Sequence, residues 1–107
     1  MEARPRKLVY YLTALGKSPF TEWMESIRGQ KIYGIVMNRL AHVKQGTLGE
    51  TRPVGNGVVE LKIRFGPGYR VYVGQDGTDV VLLCGGNKAN QSRCIAAARD
   101  FWDDYNA

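Results

Sequence analysis

The chain has 107 residues, the length of one domain, and 44% of them are apolar or aromatic, enough for one modest core. Fifteen basic residues stand against ten acidic ones, for a net charge of +5. This leaves no room for a separate regulatory domain; no run resembles a membrane span or a signal peptide, and Cys84 and Cys94 form neither a CxxC motif nor a tight metal-ligand spacing. The expectation is a cytoplasmic protein with reduced thiols and no membrane partner.

Residues 8–13 (LVYYLT), preceded by Arg4, Arg6 and Lys7, read as a strand. Ser18-Pro19 opens a helix, with Ser as the cap and Pro at the first helical position, and Phe20, Trp23, Met24 and Ile27 form its apolar stripe up to Gly29. A second helix follows from Gln30 to Gln45, carrying Ile32, Ile35, Val36, Leu40 and Val43 on one stripe and stopped by Gly46. Their tight connection predicts an antiparallel helical hairpin. Gly34, inside the second helix, costs about 1 kcal/mol relative to Ala, and close packing against a neighbour is the expected compensation. Residues 47–57 are turn-rich, read as a loop, and carry Arg52.

From Val59 to Phe65 apolar residues alternate with Glu60, Lys62 and Arg64, the pattern of a half-buried strand. Gly66-Pro67-Gly68 turns the chain into a second strand, where Arg70 and Tyr72 alternate with Val71 and Val73. Asp76-Gly77 marks another turn, and the unbroken apolar VVLLC run in 79–86 fits a central strand buried on both faces. Gly85-Gly86-Asn87-Lys88 lacks the spacing and the Ser/Thr of a phosphate-binding loop; its glycines are expected to free the backbone and bring Lys88 to a ligand. Asn90 caps a last helix with Cys94, Ile95, Ala98, Phe101, Trp102 and Tyr105 as its stripe. Asp100, Asp103 and Asp104 crowd that helix's unfavourable end, which suggests an internal partner for the basic face. The order β-α-α-β-β-β-α predicts one α+β domain over residues 1–107. Its sheet would be mostly antiparallel and four-stranded, with the helices packed on one side.

Charge is concentrated. Between positions 28 and 70 eight basic residues (Arg28, Lys31, Arg39, Lys44, Arg52, Lys62, Arg64, Arg70) face only Glu50 and Glu60. A basic face of this kind suits a polyanion. Strand parity puts Glu60, Lys62 and Arg64 on one face, and hairpin closure adds Arg70 and Tyr72, with Lys88 nearby. Cleaving RNA requires removal of a proton from the 2′-hydroxyl, fixed positive charge at the phosphorane and a proton for the leaving oxygen. His42 is the only histidine, so a two-imidazole mechanism is excluded, and its place beside the apolar stripe marks it as a helix-edge residue. Arg and Lys can supply the charge. Glu60 reads either as a base or as a cross-strand partner of Lys62 or Arg70, and Tyr72 either stacks on a base or pads the sheet.

The segment ELKIRFGPGYRVYVGQDG, followed by GGNK and a helix ending FWDDY, resembles the RelE/ParE superfamily of toxins, and within it the HigB-like addiction module killers. The resemblance covers nearly the whole chain in element order. It implies a toxin of a type II toxin–antitoxin system: a metal- and cofactor-independent endoribonuclease that cuts messenger RNA on the ribosome, held in check by a cognate antitoxin, a small helix-turn-helix protein. The positions that match the family's catalytic pattern are Lys62, Arg64, Arg70 and Lys88, with Arg70 first, as a phosphate clamp. The stretch ANQSRCIAA lacks the Tyr or His that some relatives carry there, so base or stacking duties pass to Glu60 or Tyr72, and Arg52 joins Tyr72 in RNA binding. Two other readings compete. One is a ParE-like inhibitor of DNA gyrase without catalysis, and the other a basic RNA-binding domain without toxicity.

Overall fold

The computed structural model describes residues 5–27 and 29–107; Arg4 and Arg28, which figure in the basic expectations above, lie outside the described residues. The elements are β1 (Lys7–Tyr10), α1 (Pro19–Ser26), α2 (Gln30–Lys44), β2 (Thr51–Pro53), β3 (Val58–Ile63), β4 (Tyr69–Asp76), β5 (Asp79–Gly86), a 3₁₀ turn (Lys88–Asn90) and α3 (Gln91–Tyr105). The strands form one mixed sheet in the order β1-β5-β4-β3-β2. β1 runs parallel to β5, and the other pairings are antiparallel.

The fold is α+β, with two departures from the expected architecture. The sheet has five strands, because Thr51, Arg52 and Pro53, within the expected loop, pair with Leu61, Glu60 and Val59. Three residues are too few to leave a periodicity, and Pro53 is tolerated on an edge strand, where a missing N–H disrupts least. The helices also lie on both faces. α1 and α2 bury Phe20, Met24, Ile32, Val36, Leu40 and Val43 against Leu61, Ile63, Val71, Val73, Val80 and Leu82. α3 buries Ala98 and Trp102 against Val58, Tyr72, Val81, Leu83 and Cys84 on the other face. β4 and β5 are apolar at both parities, so one covering layer would leave half their side chains in water. A register shift between Tyr72 and Val73 sets Leu83 and Cys84 both toward α3.

Local signals explain the element ends. Ser18 accepts the Thr21 amide at 3.1 Å and Pro19 occupies the first helical position of α1. Asn87, rather than Asn90, caps the entry to the last helix. Its side chain accepts the amides of Ala89 and Asn90, while Asn90 accepts the Asn87 amide. Gly85 and Gly86 are strand residues and not a flexible corner. A Cβ at Gly85 would lie 2.3 Å from the Trp23 ring, and one at Gly86 would lie 2.5 Å from the Cys94 sulfur. Their bareness makes room for packing from opposite sides of the sheet. Gly34 has no such neighbour, since a Cβ there would meet nothing within 4 Å. The acidic end of α3 is used for anchoring and not as a partner for the basic face. Asp104 accepts the Tyr11 hydroxyl at 2.7 Å and Asp103 the Asn56 amide at 3.4 Å. No described helix is long and apolar enough to cross a membrane.

Candidate functional site

The sheet face that carries α3 stays open beside that helix's first turn. There Arg52 of β2, Glu60 and Lys62 of β3, Arg70 of β4 and Gln91 of α3, together with Glu50 and Thr51, line a cleft of about 400 Å³. Cross-strand register builds it. Arg52 lies opposite Glu60, Glu60 opposite Tyr72, and Lys62 opposite Arg70, so all five share one face.

Glu60 is the hub. It is 4% exposed. Its Oε2 accepts the Tyr72 hydroxyl at 3.0 Å and the Gln91 amide at 2.9 Å, and stands 3.6 Å from Arg70 Nε. Its Oε1 faces Arg52 Nε at 3.4 Å. Burial by itself would raise the Glu60 pKa. The hydrogen bonds from Gln91 and Tyr72 and the charge of Arg52 outweigh it and hold the carboxyl below its ordinary value. Glu60 is therefore an anion held between Arg52 and Arg70, which gives it the expected pairing with Arg70.

Arg70 is 6% exposed yet lines the cleft. The turn preceding β4 holds it. Gly68 adopts a positive φ of 80°, and its carbonyl accepts Arg70 Nη1 at 2.6 Å. That contact gives the G-P-G-Y-R sequence a structural reason. Arg70 Nε is buried and makes no hydrogen bond, despite the nearby Glu60. The fixed charge of this guanidinium at the wall of the cleft suits an anion, while its buried Nε faces Glu60.

Three expected site residues stand elsewhere. Tyr72 is fully buried, so its ring offers no surface for base stacking; burial, and then its bond to Glu60, push its hydroxyl pKa upward, and it stays a neutral donor. Arg64 lies one residue past the end of β3, where strand alternation has ceased, and its guanidinium grips Glu50 with contacts of 2.7 and 3.2 Å. Lys88 is exposed at the start of the 3₁₀ turn and does not line the cleft. The cations gathered at the cleft are thus Arg52, Lys62 and Arg70, not the trio of Lys62, Arg64 and Arg70. His42 is exposed on α2 and does not line this cleft. Among the described residues no cluster of His, Cys, Asp and Glu could hold a metal ion.

An uncharacterized protein of Haemophilus influenzae is 35% identical to the chain over 81 residues, a span that covers 75% of this chain and 82% of that protein. The chain belongs to that protein's family. No family model and no solved structure matches it. Membership in this family carries no activity with it, so the reading of the cleft rests on its own chemistry.

Gln91 and Glu50 line the cleft and were not expected there. A glutamine opening a helix and a glutamate in a turn-rich segment carry no pattern of their own. Only the register of β2 on β3 brings Glu50 alongside, and only the corner after β5 brings Gln91 onto Glu60.

Proposed function

We propose that the chain is a toxin of the RelE/ParE type, in the HigB-like branch: a ribosome-dependent endoribonuclease that takes single-stranded messenger RNA into the cleft and is restrained by a cognate antitoxin. The observation that carries this reading is the convergence of Arg52, Lys62 and Arg70 on one open cleft. Arg70, held by the Gly68 carbonyl, and the more exposed Arg52 offer two guanidiniums beside Glu60 to the non-bridging oxygens of a phosphodiester, and they favour the phosphorane, where negative charge is greatest. Lys62 joins none of the ion pairs among the described residues and is half-buried at the cleft wall, so proton transfer falls to it. An antitoxin suited to this face would present an acidic segment to the cleft, by charge complementarity.

The commitment of Glu60 to four neighbours favours a second reading, in which the cleft binds without cutting, as a ParE-like inhibitor or an RNA-binding domain does. Inducible expression with and without the neighbouring reading frame, combined with mapping of RNA 5′ ends, separates the two. Growth arrest with new messenger 5′ ends, abolished by Lys62→Ala and relieved by the partner, is the expected result. Arrest with gyrase-linked DNA breaks, or RNA binding without arrest, would replace the nuclease reading.

A further inference from the structure

A second depression of about 300 Å³ lies against the cleft and shares two of its residues, Glu50 and Lys62. Asn38, Arg39 and His42 of α2 and Arg64 after β3 complete its polar lining. Three cations and one acid therefore surround it, with His42 and Asn38 as hydrogen-bonding groups. Arg39 is half-buried in its lining. Its guanidinium reaches the carbonyls of Lys62 (3.4 Å) and Glu50 (3.1 Å), locking α2 to the end of β3 and to the segment before β2. The Glu50 carboxylate occupies Arg64 in a two-pronged contact, the geometry in which a guanidinium receives a phosphate.

We propose that this depression is a second subsite for the same strand, taking the phosphate that flanks the one in the cleft, with Glu50 as an internal stand-in that the phosphate displaces from Arg64. The inference rests on the reading of the cleft as an RNA site. Lys62 lines both depressions, so the strand would pass from the α3 face around the edge of β3 to the α2 face. The Arg64–Glu50 pair is exposed, at 75% and 46% of the two side chains, so exchanging one anion for another costs little. Arg64, out of reach of the cleft, thereby gains a task, as does His42, whose imidazole and the neighbouring Asn38 amide can meet a base or a sugar hydroxyl.

The test uses fluorescently labelled 2′-O-methyl oligonucleotides, which cannot be cleaved at the 2′-hydroxyl. A dimer has one phosphate, enough for the cleft alone, and an octamer reaches both depressions. Anisotropy titrations at low salt give the ratio of octamer to dimer affinity. Arg64→Ala should lower that ratio about fivefold, the scale of one lost charge-assisted contact. Glu50→Gln should raise octamer affinity severalfold, because the internal competitor is gone. Arg64→Ala acting equally on both lengths, Glu50→Gln weakening the octamer, or no binding of either oligonucleotide would overturn the subsite. Cleavage is not read in this assay. A length dependence carried by Arg64 in a protein that yields no new RNA ends in cells would retain the subsite and discard the nuclease.

Discussion

At the scale of single residues, the pair of Glu60 and Arg70 decides how the cleft can be probed. Both side chains are at most 7% exposed, so removing either leaves a buried charge without its partner. Arg70→Ala should lower stability by about 3 kcal/mol, against well under 1 kcal/mol for Lys62→Ala, as read by urea unfolding. Equal midpoints for the two variants would mean that the pair carries no structural weight. Loss of activity in an Arg70 variant is thus ambiguous, and Lys62 is the residue on which the chemistry should be tested. The same hub sets an acid response. The Glu60 carboxyl is held below its ordinary value of 4.5, so its contribution to stability is fully present above that pH and is lost as the pH falls through the lower folded value. Glu60→Gln should flatten the acid limb of the stability profile. Glu50, also held low by its hydrogen bond to Arg64 but exposed, should matter much less when changed to Gln. An acid limb unchanged in Glu60→Gln would show that other carboxylates govern it.

At the scale of elements, the glycines divide into opposite classes. Gly34 stands on the exposed side of α2 with open space around it, so Gly34→Ala should stabilise the protein by about 1 kcal/mol. Gly74 and Gly85 each lie under a tryptophan, and a Cβ at either would come within 2.3 Å of the ring of Trp102 or Trp23. Alanine there must displace α3 or α1, and a loss of about 2 kcal/mol is expected in thermal unfolding. Gly34→Ala destabilising, or Gly85→Ala neutral, would contradict these packing assignments. The contrast also shows what the sequence could and could not disclose. Alternation in Val59–Phe65 and Arg70–Val73 placed Glu60, Lys62, Arg70 and Tyr72 on one face, and the register agrees. VVLLC announced a strand covered on both sides, yet the expected architecture packed the helices on one side, where the structure has them on both faces. The parity rule holds only inside a ladder, and this is why it failed for Arg64, just past the last paired residue, and missed β2, whose three residues are defined by their partner alone. Parity also says which face a residue takes, but not how deep it sits, and so Tyr72 read as a reachable ring when α3 covers it.

At the scale of the whole molecule, the question is whether the excess positive charge acts as a diffuse field or through a few built contacts. The chain carries 15 basic residues, a number sufficient for broad, nonspecific attachment to RNA. The acids are not spread evenly, however. Asp103 and Asp104 fasten α3 at one end of the sheet, while Arg52, Lys62 and Arg70 gather beside the other end of that helix. Counterion release distinguishes the two cases, because the logarithm of affinity falls with the logarithm of salt by about 0.7 per phosphate neutralised on a single strand. If the cleft cations hold one phosphate and Arg64 the next, an octamer should give a slope of about −1.4, and Arg64→Ala should reduce its steepness by about 0.7. A field spread over the surface would engage every phosphate of the octamer, giving a slope near −5 that one substitution barely alters. The steep and mutation-insensitive result would assign the protein's affinity to net charge and deprive the cleft of its special role, whatever the cellular outcome of expressing it.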